Sequence, residues 1–144
     1  MKISLDTSII VEVERRNEKV VKLLKDMMLK GHEIFMSSVV PSEIFTGTYL
    51  RDDYRKATSK ARNLFSAFKT VPLNIEVAEI IGQVNAHLFT KGVSIEYQDV
   101  AIAATFFYEE GDYLLTKNKK HFANIPGLKG KIFTPREFMS SGMI

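Results

Sequence analysis

Apolar positions in this chain alternate between short clustered runs and longer stretches spaced like helices. Lys2-Ile3-Ser4-Leu5 reads as a short buried strand, and over residues 17–30 Val20, Leu23, Leu24, Met27 and Met28 recur at helical spacing until Gly31 supplies a stop. Residues 33–37 return to a strand-like composition, after which Pro41 suits the first turn of a helix carrying Glu43, Ile44, Phe45, Thr48 and Tyr49. A charged helix is predicted over 54–68, with Ala57, Ala61, Leu64, Phe65 and Phe68 as its apolar stripe, then a short extended piece over 69–73. Asn74 is placed to cap a helix whose Val77, Ile80, Ile81, Val84 and Leu88 share one side until Gly92. Another helix is expected over 98–110, ended by Gly111, followed by strands at 113–116 and 131–134 and a short helix after Pro135 around Glu137 and Phe138. Short strands alternating with longer amphipathic helices predict an α/β domain: an open, mostly parallel sheet flanked by helices on both faces. In such sheets function gathers at the carboxyl ends of the strands.

Composition narrows the chemistry. The 144 residues are 45% hydrophobic and 26% charged, the balance of a globular chain long enough to bury a core in one domain, here expected to run over 1–144. Without cysteine there is no disulfide framework, no thiolate metal site and no thiol nucleophile. No apolar run approaches the roughly 20 residues of a membrane helix. The chain opens on a strand-like pattern rather than a charged leader with an apolar core, so a cytoplasmic protein with no membrane association is expected. A net charge of +3, from 20 Lys and Arg against 17 Asp and Glu, is too mild to identify a polyanionic partner by itself.

Three acids recur in one local setting. Asp6 closes the first strand, Glu43 follows Val39-Val40-Pro41-Ser42, and Asp99 opens Asp99-Val100-Ala101-Ile102-Ala103-Ala104. Each lies where a strand or loop hands over to a helix. Taken singly, each has a structural explanation: Asp caps helices and favours turns, and a carboxylate in a first helical turn is favoured by the helix dipole. Taken together on neighbouring parallel strands, they would converge on one sheet edge, and clustered carboxylates call for a cation. Oxygen donors without a histidine cluster suit Mg²⁺ or Mn²⁺ better than zinc, and such an ion serves phosphodiester hydrolysis. A serine triad is unsupported, because no G-x-S-x-G elbow exists and His32 and His87 lack a matching partner.

Two segments are basic. Residues 117–131 carry Lys117, Lys119, Lys120, Lys129 and Lys131 and no acid, either as a solvated loop or, beside an acidic pocket, as a holder of phosphates. Residues 51–69 carry Arg51, Arg55, Lys56, Lys60, Arg62 and Lys69 against Asp52 and Asp53, and read as an exposed helical face with Phe65 and Phe68 packed beneath.

The ordered set Leu5-Asp6-Thr7-Ser8, Pro41-Ser42-Glu43, Asp99-Val100-Ala101-Ile102-Ala103-Ala104 and Leu115-Thr116-Lys117-Asn118-Lys119-Lys120-His121-Phe122 resembles the PIN-domain family, and within it the VapC-like ribonuclease toxins. The resemblance covers nearly the whole chain. It implies a PIN-like fold and a Mg²⁺-dependent, or Mn²⁺-dependent, endoribonuclease in which Asp6, Glu43 and Asp99 hold the metal and act in catalysis. Thr116 and Asn118 match the late polar motif, Asn118 as a further catalytic position, while Thr116, Lys117, Lys119 and Lys120 would contact the RNA substrate. The resemblance also implies a homodimer and a small VapB-like antitoxin partner.

One departure stands out. Family members often place a further acid in the late motif, where this chain offers Asn118 and His121, so one metal is a safer expectation than two. Glu96 could compensate but reads first as an exposed loop residue, and His121 as a surface residue. The competing reading is a catalytically weak PIN-like module that binds RNA or regulates its processing. A nucleotide-binding or receiver-like protein fares worst, since no glycine-rich phosphate loop follows the first strand.

Overall fold

Three consecutive residues of the first strand, Ile3, Ser4 and Leu5, are all buried, as are Ile34, Phe35, Met36 and Ser37 of the second. A strand buried on alternate sides is covered on both faces, which places these two at the centre of a helix-covered sheet. The computed structural model describes residues 1–143. Its strands are β1 (Lys2–Leu5), β2 (Glu33–Ser37), β3 (Lys69–Val71), β4 (Tyr113–Leu115) and β5 (Ile132–Phe133), in the order β3-β2-β1-β4-β5. Every pairing is parallel, a stricter outcome than the mostly parallel sheet expected from the pattern.

The helices are α1 (Thr7–Glu14), α2 (Glu18–Leu29), α3 (Val39–Tyr49), α4 (Tyr54–Phe65), α5 (Ile75–Thr90), α6 (Tyr97–Tyr108) and α7 (Pro135–Ser140), with a 3₁₀ turn at Lys119–His121. Helix α1 forms over residues for which the hydrophobic pattern predicts no element, between the first strand and residue 17. Its Ile9-Ile10-Val11 run favours strand on local propensity, and burial of Ile9 and Ile10 against the core decides for helix. Elsewhere the punctuation works as its chemistry predicts. The side chain of Asn74 accepts from the Val77 N–H, Gly31 takes φ +79° beyond α2, and Thr134 with Glu137 forms a reciprocal cap on α7. Helix α4 stops at Phe65 rather than 68, but Phe65 and Phe68 both pack into the core as expected.

Helix α6 ends at Tyr108 and the left-handed residue beyond it is Glu110, at φ 54°, so Gly111 serves packing rather than the helix stop expected of it. A Cβ there would stand 2.5 Å from the ring of Phe106 and 3.2 Å from that of Phe35, so the turn into β4 is tight enough to require glycine. The late segment is anchored by Phe122, Ile125 and Leu128, all buried in the same core. No described helix is long and apolar enough to cross a membrane.

Strand order locates the functional edge. The chain runs from β1 outward through β2 to β3, then returns to the other side of β1 for β4 and β5. The order therefore reverses between β1 and β4, and the crevice beyond their carboxyl ends is where such sheets bind ligands.

Candidate active site

Leu5 pairs with Leu115, so Asp6 and Thr116 are the next residues past the ends of β1 and β4 at this switch point. Asp6 keeps extended backbone, φ −79° and ψ 159°, and its N–H donates to the Leu115 carbonyl at 3.0 Å. It stands at the N-cap of α1, yet its side chain caps nothing. Instead Oδ2 accepts from the Thr116 hydroxyl at 2.7 Å and the Ser8 hydroxyl at 2.8 Å, with only 4% of the residue exposed. Simple capping is thus not what this carboxylate does. Ser8 and Thr116 are themselves held, since Ser8 Oγ accepts the Lys117 N–H and Thr116 Oγ1 accepts the Asn118 N–H. The start of α1 and the late loop are thereby fastened around one carboxylate.

Glu43 lies in the second turn of α3, because that helix starts at Val39, so the first-turn dipole explanation does not apply to it. It is exposed, and its Oε1 accepts from the Thr7 hydroxyl at 2.7 Å, which ties α3 to the first residue of α1. Asp99 does sit in the first turn of α6, where the helix dipole favours a charge. Its carboxyl is nonetheless pushed up to about 6: burial contributes most, then the negative charge of Asp6, with Glu43 and Glu96 adding to it and the imidazole of His121 opposing. His121 Nδ1 stands 3.3 Å from Asp99 Oδ2. The acids thus feel one another across a shared space, a cleft of about 500 Å³ lined by Asp6, Glu43, Glu96, Asp99, Lys117, Asn118 and His121 among others.

The basic residues fall differently. Lys117 faces the cleft with its ammonium 2.7 Å from Glu12 Oε1, and Glu12, buried on α1, also accepts from the Asn17 amide at 2.7 Å and lies 3.8 Å from Arg15. Those contacts hold the Glu12 carboxyl below its ordinary range, the Lys117 hydrogen bond contributing most. Lys119 is paired with Glu137 and does not line the cleft, while Lys120 lines a neighbouring hollow that also touches Asp99 and His121. The late loop is therefore less positive in three dimensions than along the chain. Arg51 is likewise engaged, by Asp53 through two hydrogen bonds. Glu96 is exposed, as expected, but borders the cleft, and so does His121.

Ser8, Glu12 and Arg15 were not singled out from sequence as cleft residues. Reading residues 7–14 as a helix would have found them, since Ser8, Glu12 and Arg15 follow at spacings of four and three and share one side.

The donor set suits a hard cation. It consists of carboxylate, hydroxyl and amide oxygens, and burial together with the charge of Asp6 raises the proton affinity of Asp99, a cost that a bound cation would offset. Among the described residues no three acidic or histidine side chains stand close enough to grip an ion together. Mg²⁺ commonly keeps several waters and binds through one or two carboxylates, so the arrangement accords with a hydrated ion.

Residues 3–128 match the PIN domain, and the chain belongs to the PIN-domain family. It is 30% identical over 125 residues to ribonuclease VapC19 of Mycobacterium tuberculosis, a match spanning 87% of this chain and 95% of that protein. Among solved structures it resembles a chain of VapBC2 from Rickettsia felis bound to a DNA fragment from their promoter, with a TM-score of 0.83 at 24% identity over 93% of this chain and 98% of that one. It also resembles a chain of FitAcB from Neisseria gonorrhoeae, with a TM-score of 0.73 at 26% identity over 93% of this chain and 98% of that one.

Proposed function

We propose that the protein is an endoribonuclease of the VapC type, the toxin half of a toxin–antitoxin pair, with Asp6, Glu43 and Asp99 holding Mg²⁺ or Mn²⁺. The observation that carries this reading is the convergence of the three acids on one cleft at the switch point, with Asp99 proton affinity raised by burial and by its acidic neighbours. Similarity to a ribonuclease over most of the chain supplies the substrate class. When bound, such a cation would supply positive charge against the phosphoryl group and lower the pKa of water.

The chain's own groups do the rest. Thr116 and Ser8 fix the Asp6 rotamer by occupying Oδ2, and Thr7 braces Glu43. Lys117 and Arg15 place positive charge on the same cleft wall for the RNA backbone. In hydrolysis the water oxygen bonds to phosphorus, the P–O ester bond breaks, and the departing oxygen takes up a proton. His121 borders the cleft with Nδ1 3.3 Å from Asp99 Oδ2 and is the candidate group for that proton transfer. Asn118 contributes a neutral amide where another carboxylate would strengthen a second cation site, which favours one ion. On this reading residues 1–144 form one PIN domain, acting in the cytoplasm as a homodimer with a VapB-like antitoxin.

The test is cleavage of mixed RNA by purified protein with Mg²⁺ or Mn²⁺, with and without chelator, beside the Asp6→Asn and Asp99→Asn variants. Cleavage is expected only with metal and only in the wild type. Cleavage that survives chelation or both substitutions would sink the metal mechanism, and RNA binding without cleavage under either metal would favour the binding-module reading.

A further inference from the structure

A second cavity adjoins the cleft and shares a wall with it. It occupies about 240 Å³ between the start of α2 and α7, and Glu12 and Lys117 line both spaces. The Glu12–Lys117 ion pair is therefore the partition between them. On its far side the cavity has an apolar floor of Val20, Pro135 and Met139 and a rim carrying Lys19 and Arg136.

The charges there are unequal. Glu12 is the one acid on the lining, and its two oxygens are already engaged by Lys117 and Asn17, with Arg15 beside them. Lys19 and Arg136 are exposed and form no ion pair among the described residues. The site thus offers two free cations above a small apolar surface, continuous with the catalytic cleft through Lys117. Its volume, about 240 Å³, is below that of a typical small-molecule pocket and is of a size for one unit of a polymer laid along the neighbouring wall.

We propose that this cavity is a subsite for the nucleotide flanking the scissile bond in single-stranded RNA. Arg136 and Lys19 engage the flanking phosphate, and the base or ribose rests on Val20, Pro135 and Met139. The recognition is electrostatic and apolar, with no base-edge hydrogen-bond donors or acceptors assigned, so it extends the RNA track without selecting sequence. The inference rests on the proposed ribonuclease reading for its substrate, and its test separates the two.

Neither Lys19 nor Arg136 lines the catalytic cleft, so a Lys19→Glu/Arg136→Glu variant leaves the cleft residues in place. Circular dichroism would first establish that it folds like the wild type. Binding is read with a fluorescently labelled single-stranded oligonucleotide by anisotropy in EDTA, on Asp99→Asn protein with and without the two reversals. Cleavage is read in Mg²⁺ on a long RNA and on a minimal oligonucleotide. The expected results are a Kd and a long-RNA KM raised on the order of tenfold, kcat within about twofold, a minimal substrate little affected, and a salt slope reduced by about 1 to 2. A Met139→Ser variant should raise the long-RNA KM by about twofold to fivefold at unchanged salt slope, through the apolar floor.

Unchanged Kd and KM in the reversal variant would overturn the subsite. Reversals that spare RNA but abolish binding of a small antitoxin protein would also overturn it, assigning the surface to that partner. If the wild type cleaves no RNA yet the reversals still weaken oligonucleotide binding, the cavity stands as a contact for single-stranded RNA while the nuclease reading, and with it the placement beside a scissile bond, falls.

Discussion

Replacing Asp99 with asparagine should stabilise the metal-free protein while removing its activity. Asn is isosteric with Asp and carries no charge, so it relieves the burial and like-charge cost that lifts the Asp99 carboxyl from 3.8 to about 6. At about 1.4 kcal/mol per tenfold change in proton affinity, that gap corresponds to roughly 3 kcal/mol. Partial solvent access at this half-buried position reduces it to about 1–2 kcal/mol, or roughly 3–8 °C in Tm for a chain of this size. The sign follows from proton counting. Below about pH 4 the carboxyl is protonated in both folded and unfolded chains, so it costs nothing. Between about pH 4 and about pH 6 this residue ionises in the unfolded chain but keeps its proton in the folded one, so its contribution to wild-type stability falls with rising pH; above about pH 6 the penalty is constant. Thermal unfolding of both proteins in EDTA, followed by circular dichroism from about pH 4 to about pH 8, should show a gap in Tm that opens over that window and then levels. Added Mg²⁺ should narrow it by stabilising the wild type selectively. A variant no more stable than the wild type near pH 8, or a gap of the same size at every pH, would refute the electrostatic account of this cleft.

Two further substitutions probe the frame around the cleft. Thr116→Val keeps the shape of a fully buried side chain but removes the donor to Asp6 and the acceptor for the Asn118 N–H, so it should cost about 2 kcal/mol in urea unfolding and lower kcat at least about tenfold with little change in KM; unchanged kcat would show that Asp6 needs no such brace. Gly111→Ala drives a methyl into the Phe106 and Phe35 rings and should cost about 1–3 kcal/mol, read as a lowered Tm, while leaving RNA cleavage at permissive temperature intact.

Both the clarity and the gaps of the sequence reading have physical causes. Strand and helix order was legible because burial imposes a period, and capping residues such as Asn74, Gly31 and the Thr134–Glu137 pair act within four residues of their targets. Asp6, Glu43 and Asp99 stood out because each closes or follows a strand, or opens a helix, in a fold whose strands all point one way. Helix α1 was not legible, because β-branched Ile9, Ile10 and Val11 carry a local preference that packing overrides. With it were lost Glu12 and Arg15 on the cleft wall.

Charge shows the same division. Along the chain Lys117 and Lys119 belong to one unopposed basic run, whereas in space Glu12 and Glu137 claim them. Those acids are 105 and 18 residues distant in sequence, beyond any local pattern. Likewise the Asp6 carboxylate, whose ordinary explanation is a helix cap, is held instead by Thr116, 110 residues away. Periodicity therefore marked most of the elements, residue chemistry singled out the three candidate acids, and the family resemblance carried the expected class of reaction. Which oxygen is braced, which lysine is free and which cavity adjoins the cleft depended on side chains from distant segments meeting at the switch point, because hydrogen bonds and ion pairs act over a few ångströms of space rather than along the chain.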